Sequence, residues 1–422
     1  MIPSGTTPSP ESSLELLKDV RWLTSEAAKP WLAQAAKNLT NVMKLTQLLR
    51  AELSPSRTHL VLEQADLRWR ARKKFTHADE MFFARQGLEQ ATDEFVAGYK
   101  ASRFPRDMSV TDLCCGIGGD WLALAARGPT VGVDQDPIIA HLAASNATAL
   151  GISLSDATKF QVGDVAQFSV ADFAAWHIDP DRRPQGKRTT RVELYSPGPE
   201  VLSRFLHDSP NGAIKLAPAA ELPDEWKHAA ESEWISRDGE CKQLVAWFGG
   251  LARSPGQHAA TLIASNDPTK FPRTVVGRAH HDWTTAEKIG RYVYEVDAAV
   301  LAAKLPGVLA EEHGLLSIDS HAGYLSGDKL LSDAALTPFE VLEVMPLDRK
   351  RLKAALRERN VGRLEIKKRG LLDDLEKLRA ELRTTGDEPA TLMLTKFNGS
   401  ATAIIARRIA PSGNSPLSES TA

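Results

Sequence analysis

Between Leu14 and about Tyr99, apolar residues recur at helical spacing, as in Leu14, Leu17 and Trp22 and again in Leu45, Leu48, Leu49 and Leu53. Recurrence every three or four positions, with few β-branched clusters, predicts an N-terminal helical region. At Val110 the texture changes. SVTDLCC, TVGVDQ, KFQVGD, FAAWHIDP and GAIKLAP read as five short buried strands, separated by helix patterns in DWLALAAR, PIIAHLAASNATALG and PEVLSRFLHD. Alternation of this kind implies an α/β fold, a parallel sheet wound with helices on both faces. AESEWISRDGE, QLVAWFGG and TLIAS then predict antiparallel edge strands. A last unit reads as strand FEVLEVMP, helix RKRLKAALRERN, strand RLEIKK, helix LLDDLEKLRAEL and strands TLMLTKF and TAIIARRI, a small α+β domain. The expected organisation is therefore a helical region over 11–75, a sheet domain over 76–270, a connecting region over 271–337 with weak periodicity, an α+β domain over 338–410 and a disordered tail over 411–422.

Composition agrees with several folded units. The chain has 422 residues, 42% hydrophobic and 25% charged, the balance of a soluble globular protein with more than one core. A net charge of −2 means that any affinity for a polyanion comes from local basic patches. Three cysteines, two of them adjacent, suggest neither a disulfide framework nor a zinc site. No leader pattern opens the chain and no apolar run approaches the ~18 residues of a membrane helix, so a cytoplasmic protein without a membrane partner is expected.

The stretch TDLCCGIGGD places three glycines within four residues at the exit of the first strand, where a doubly wound sheet binds ligands. A nicotinamide fingerprint would need a glycine where Trp121 stands, and the lysine of a phosphate-binding loop is absent. Asp112 at the strand end, followed by a glycine turn, suits a ligand with a cationic amino acid moiety and a nucleoside. A glycine turn can also serve only helix packing, and an acid at a strand end can be only a cap.

The motif, followed by VGVDQDP and QVGD, resembles the class I S-adenosylmethionine (SAM)-dependent methyltransferases, particularly their RNA-modifying branches and the trimethylguanosine synthase group. The resemblance spans about residues 75–265 and implies a Rossmann-like sheet with SAM as cofactor. It assigns Asp112, Cys114, Gly116, Gly118 and Gly119 to the first SAM motif, Asp134 to the ribose hydroxyls, and Asp164 and Val165 to the adenine. The position of Cys114 is usually glycine in the wider superfamily. The segment from Lys74 to Phe104 resembles the helix before the first strand that leans over the methionine end of SAM, with Phe83, Arg85, Gln86 and Gln90 as candidates. Packed aromatics and a solvated Arg85 are the plainer reading.

Methyl transfer is an in-line displacement, so the acceptor must be held close to the methyl group and aligned with the breaking bond. The segment after the fourth strand usually does this. Amino-group methyltransferases often carry Asp, Asn or Ser there, then two prolines and an aromatic; this chain has Asp179, Pro180, Asp181 and Arg182, matching the first two positions only. Asp179, Pro180 and Arg182 are the catalytic candidates, and Arg182 and Arg183 suit a substrate phosphate. The alternative is an Asp-Pro loop with solvated arginines. Lys215, Glu233 and Trp234 are expected at the same rim, whereas adjacent His280, His281 and Asp282 lack a third spaced ligand, so no metal is expected.

Two basic stretches bear on the substrate. LRWRARKKF interleaves Trp69 with Arg68, Arg70, Arg72, Lys73 and Lys74. Residues 346–370 hold ten basic side chains, including Lys367, Lys368 and Arg369, against three acidic ones. The C-terminal unit is similar to the THUMP-like domain that follows the methyltransferase domain in a mostly bacterial family, and THUMP domains are associated with RNA. A structured RNA is thus the expected partner; a small-molecule or protein acceptor, or a non-catalytic SAM-binding RNA-binding protein, is the alternative.

Overall fold

The computed structural model describes residues 10–410 apart from 39–40, 184–185, 265–271, 319–322 and 372–373. The tail expected over 411–422 lies outside these residues, and Pro10, just ahead of the helical region expected from residue 11, already opens the first helix. The chain forms two compact units, one of residues 1–232 and 243–256, the other of residues 233–242 and 257–422.

The first unit begins with helices α1 (Pro10–Leu23), α2 (Lys29–Lys37), α3 (Val42–Glu52) and α4 (Pro55–Ala71). The Asn41 side chain caps α3 by accepting from the Lys44 N–H, and Ser54 followed by Pro55 starts α4 in the same way. Their apolar faces share one core, in which Leu23, Leu45, Leu49, Val61 and Leu67 pack with Phe82, Phe83, Ile117 and Leu142. Leu14 and Leu48 have the right spacing but face solvent. The segment expected to be one helix before the first strand instead forms α5 (Arg85–Gln90) and α6 (Glu94–Ala101). The break falls where Asp93 caps α6 through the Phe95 and Val96 N–H groups.

Five parallel strands follow, β1 (Val110–Leu113), β2 (Thr130–Asp134), β3 (Lys159–Val162), β4 (Ala175–Ile178) and β5 (Gly212–Leu216). Between them run α7 (Gly119–Ala125), α8 (Pro137–Ala149) and α9 (Pro199–Asp208), and α10 (Asp224–Lys227) follows β5. Strands β6 (Glu231–Arg237) and β7 (Glu240–Trp247) come next, and β7 lies antiparallel beside β5. The strand order of this unit is β3-β2-β1-β4-β5-β7, so the chain reverses direction across the sheet at β1. Ligands bind at the carboxyl ends of strands beside such a switch point.

In the second unit β8 (His258–Ile263) pairs antiparallel with β9 (Arg273–Gly277). Strand β10 (Tyr292–Val296), helices α11 (Ala298–Ala302) and α12 (Pro306–His313), and strands β11 (Leu316–Ser317) and β12 (Tyr324–Gly327) follow. Then come β13 (Leu336–Pro346), α13 (Arg349–Glu358), β14 (Val361–Lys368), α14 (Leu375–Leu382), β15 (Glu388–Phe397) and β16 (Ser400–Arg408). One sheet of order β11-β12-β10-β13-β16-β15-β14 joins the stretch of weak periodicity to the small α+β pattern. β14 runs parallel to β15, and α13 and α14 bury Leu352, Leu356, Leu378 and Leu382 against Leu392, Leu394 and Ile405. No helix among the described residues is long and apolar enough to cross a membrane.

Candidate methyl-donor and acceptor site

The glycine turn is shaped by left-handed backbone at Cys114 (φ 53°), Gly116 (φ 55°) and Gly118 (φ 89°). Cys114 therefore occupies a conformation that favours glycine. A Cβ on Gly119 would lie 2.9 Å from the Thr92 carbonyl oxygen, which is how closely α7 approaches the α5–α6 connection. Burial, with Asp134 and Asp179 adding to it, raises the Cys114 thiol well above its ordinary range, which disfavours the thiolate.

Below this turn lies a cleft of about 1050 Å³. It brings together Arg85, Gln86, Gln90, Asp112, Cys114, Gly116, Gly119, Asp134, Asp164, Val165, Asp179, Pro180, Arg182 and Arg183, which come from separate parts of the sequence. Gly118 shapes the turn without lining it, and Phe83 lies in the core with its ring 5.8 Å from Phe75.

Each acid is held differently. Asp134 accepts from the Gly116 N–H and the Asp136 N–H, both at 3.0 Å, one on each oxygen. Each carboxylate oxygen keeps further acceptor capacity. Asp164 caps the turn after β3 through the Ala166 N–H at 2.9 Å. Asp112 Oδ1 lies 2.7 Å from His177 Nδ1, while its buried Oδ2 has no hydrogen-bond partner among the described residues. Burial raises the Asp112 carboxyl above its ordinary range, with His177 acting against that shift.

On the opposite side, Asp179 Oδ2 pairs with Lys215 Nζ at 2.5 Å, and Lys215 also donates to the Gln90 carbonyl. Lys215 is thus buried behind the cleft, not placed at its rim. Asp181 exchanges backbone hydrogen bonds with Ser196 and accepts from the Arg183 N–H, which orders the start of the DPDRR stretch. Residues 184–185 of that loop lie outside the described residues. Arg183 is 3.7 Å from Glu89 and Arg85 is 3.4 Å from Glu63, whereas Arg182 forms no ion pair among the described residues.

Other expected rim residues belong to the second unit. Glu233 is buried and accepts from Thr261 Oγ1, and Trp234 packs against His258 in a tilted arrangement with ring centroids 4.8 Å apart. Lys367 pairs with Glu295 and Glu365, Arg369 lies 3.6 Å from Glu295, and Lys368 lies beside them on β14. His281 pairs with Glu311. Glu312, His313 and Asp333 cluster closely enough to suggest a cation, but the Arg273 guanidinium pairs with both acids, which meets their charge without one.

The sequence reading missed a buried chain of charges behind the turn. Lys100 Nζ lies 3.2 Å from His177 Nε2 and 2.6 Å from Asp120 Oδ1, and Thr92 Oγ1 donates to Asp120 Oδ2 at 2.6 Å. Burial would raise the Asp120 carboxyl, but Lys100, His177 and Lys215 hold it well below its ordinary range. Each of these residues comes from a different element, so no local motif announces them.

The strand order, the glycine turn and the acids at the ends of β1, β2 and β3 define a class I methyltransferase domain. The chain is 32% identical over 324 residues, 75% of its length and 85% of the relative's, to an uncharacterized S-adenosylmethionine-dependent methyltransferase of Mycobacterium tuberculosis, found in two strains. A solved structure of a candidate methyltransferase from Porphyromonas gingivalis W83 superposes with a TM-score of 0.74 at 20% identity, covering 94% of this chain and 99% of that one. Residues 336–408 match the THUMP domain-like family. The chain belongs to the SAM-dependent methyltransferases and carries a C-terminal THUMP-like domain. SAM fits the residues present: the orphaned Asp112 oxygen suits an ammonium group, Asp134 retains acceptor capacity for hydroxyls, and the space beside Gly116 is open.

Proposed function

We propose that this enzyme is a cytoplasmic methyltransferase that modifies a nucleotide of a structured RNA, akin to the trimethylguanosine synthase group. The observation that carries the catalytic part of this reading is that the DPDRR stretch and the glycine turn line one cleft. SAM supplies an electrophilic methyl group on a sulfonium. In our reading Asp112 and the glycine turn bind the amino acid end, Asp134 accepts from the ribose hydroxyls, and Asp164 and Val165 border the adenine.

Asp179 is the candidate for orienting an acceptor amine. Lys215 occupies its Oδ2 and leaves Oδ1 to accept an N–H, aiming the nitrogen lone pair at the methyl group. Pro180 stiffens the turn, and Arg182, with no ion pair among the described residues, suits a phosphate beside the target nucleotide. Arg85 and Arg183 would strengthen that contact at the rim. Within the THUMP-like domain, exposed Lys350, Arg351, Lys353 and Arg357 on α13 offer further phosphate contacts, with Lys367, Lys368 and Arg369 nearby on and just after β14.

A second reading, a small-molecule or protein acceptor, draws on the cleft's charge: nine acidic residues and three arginines line it. One experiment separates the two. The enzyme is incubated with methyl-labelled SAM and the RNA, protein and small-molecule fractions of a strain lacking it. Label entering RNA, abolished by Asp179→Ala, supports the RNA reading; label confined to protein or metabolites rejects it. Asp134→Ala is expected to weaken SAM binding by about tenfold or more, the loss of charge-assisted hydrogen bonds.

A further inference from the structure

His177 belongs to none of the expected SAM motifs and does not line the cleft, yet charged groups engage both of its ring nitrogens. It stands on β4 directly beside Asp112 in the parallel register with β1. The charged groups facing it are Asp112 from β1, Lys100 from α6 and Asp120 from α7, the last at 3.9 Å. An ammonium group has no lone pair, so Lys100 donates to Nε2. The ring proton then sits on Nδ1 and is donated to Asp112 Oδ1.

We propose that His177 is a positioning residue for the methyl donor: it fixes the Asp112 carboxylate so that Oδ2 is presented to the donor's ammonium group. The proposal rests on the SAM reading of the cleft and adds a residue outside its motifs. A core histidine that is merely satisfied needs one acceptor and one donor, and neutral groups suffice for both. Here the chain of contacts runs from Thr92 through Asp120, Lys100 and His177 to Asp112 Oδ1, and the other oxygen of that carboxylate, in a residue of the cleft wall, is buried without a hydrogen-bond partner among the described residues. Such an oxygen is costly until a donor reaches it. The arrangement therefore stores its missing hydrogen bond for a cationic ligand, and the rigidity of Asp112 depends on His177.

Calorimetry with two ligands tests this. S-adenosylhomocysteine carries the ammonium group, and 5′-methylthioadenosine carries the nucleoside without the amino acid. A His177→Gln amide reaches towards the Nε2 position and abandons Asp112, whereas His177→Asn keeps an N–H near Nδ1. His177→Gln should weaken S-adenosylhomocysteine by about 10- to 100-fold and leave methylthioadenosine within about twofold, while His177→Asn stays within about threefold for both. In an Asp112→Asn background, His177→Gln should cost no further affinity for S-adenosylhomocysteine. Equal losses for the two ligands, additive losses with Asp112→Asn, or unchanged binding in His177→Gln would each overturn the proposal. If His177→Gln does not fold, His177→Ala takes its place: a loss confined to S-adenosylhomocysteine supports the role, and equal losses for the two ligands or unchanged binding refute it. Wild-type protein that binds neither ligand would instead overturn the SAM reading.

Discussion

At Gly119 a single methyl group would meet backbone. Its Cβ would lie 2.9 Å from the Thr92 oxygen and 3.2 Å from the Thr92 nitrogen, neither of which belongs to a flexible side chain. Gly119→Ala should therefore lower stability by about 1–3 kcal/mol, as overpacking does. Denaturant unfolding would show it as a lower midpoint with an unchanged slope, and an unchanged midpoint would refute the close-approach argument. The glycines were legible in the sequence because their chemistry is local. Asp112, Asp134 and Asp164 were legible for the same reason, each ending a strand beside a turn. His177 was not: in AWHI it reads as one polar residue in a buried strand, and its partners lie 65 and 77 positions away. Lys100 was equally hidden, since a lysine in the last turn of a short helix ordinarily looks solvated. Lys215 was noticed, but its role changed, because only the structure shows it buried against Asp179.

Between elements, buried amides join the N-terminal helices to the sheet. Asn146 on α8 accepts from the Phe82 N–H at 2.6 Å and donates to the carbonyls of Phe82 and Ile117. Gln64 on α4 accepts from the Phe83 N–H at 3.1 Å. Asn146→Ala leaves three buried backbone groups unsatisfied and should cost about 3 kcal/mol or more, read by the same unfolding measurement. A loss under 1 kcal/mol would mean that these groups find other partners. The Lys100–Asp120 pair adds a pH dependence. Asp120 is held low in the folded state, so its stabilisation is complete above the unfolded carboxylate value of about 4 and drains away as pH falls below it. The stability difference between wild type and Asp120→Asn should accordingly be large at pH 7 and shrink towards pH 3; a constant difference would contradict the ion-pair account. Helical and strand periodicities made most elements readable. Strands β10 to β12 were not, because they are short and take their order from pairing: β10 lies between β12 and β13, which follow it in the chain.

For the molecule as a whole, a net charge of −2 conceals a segregation of sign. Carboxylates line the cleft of the first unit, which suits a cationic donor, while α13 in the second unit turns a basic face to solvent. The sequence exposed the basic stretch plainly, but the structure sorts it. Arg349 pairs with Glu381 and Arg359 with Glu343, whereas Lys350, Lys353 and Arg357 fall on one exposed face of the helix and form no ion pair among the described residues. If the chain binds RNA as proposed, these three are the better candidates for phosphate contact, since an arginine already paired must surrender a carboxylate to bind a second anion. Combined replacement by glutamate should weaken RNA binding and lower the slope of log affinity against log salt by about 2–3, one counterion per lost contact. Affinity for S-adenosylhomocysteine should stay unchanged, because none of the three lines the donor cleft. An unchanged RNA affinity and salt slope would remove α13 from the interface and leave Arg85, Arg182, Arg183, Lys367, Lys368 and Arg369 as the remaining basic candidates. A fall in donor affinity would show instead that the substitutions disturbed the fold, since a helix face that only docks RNA has no other route to the glycine turn.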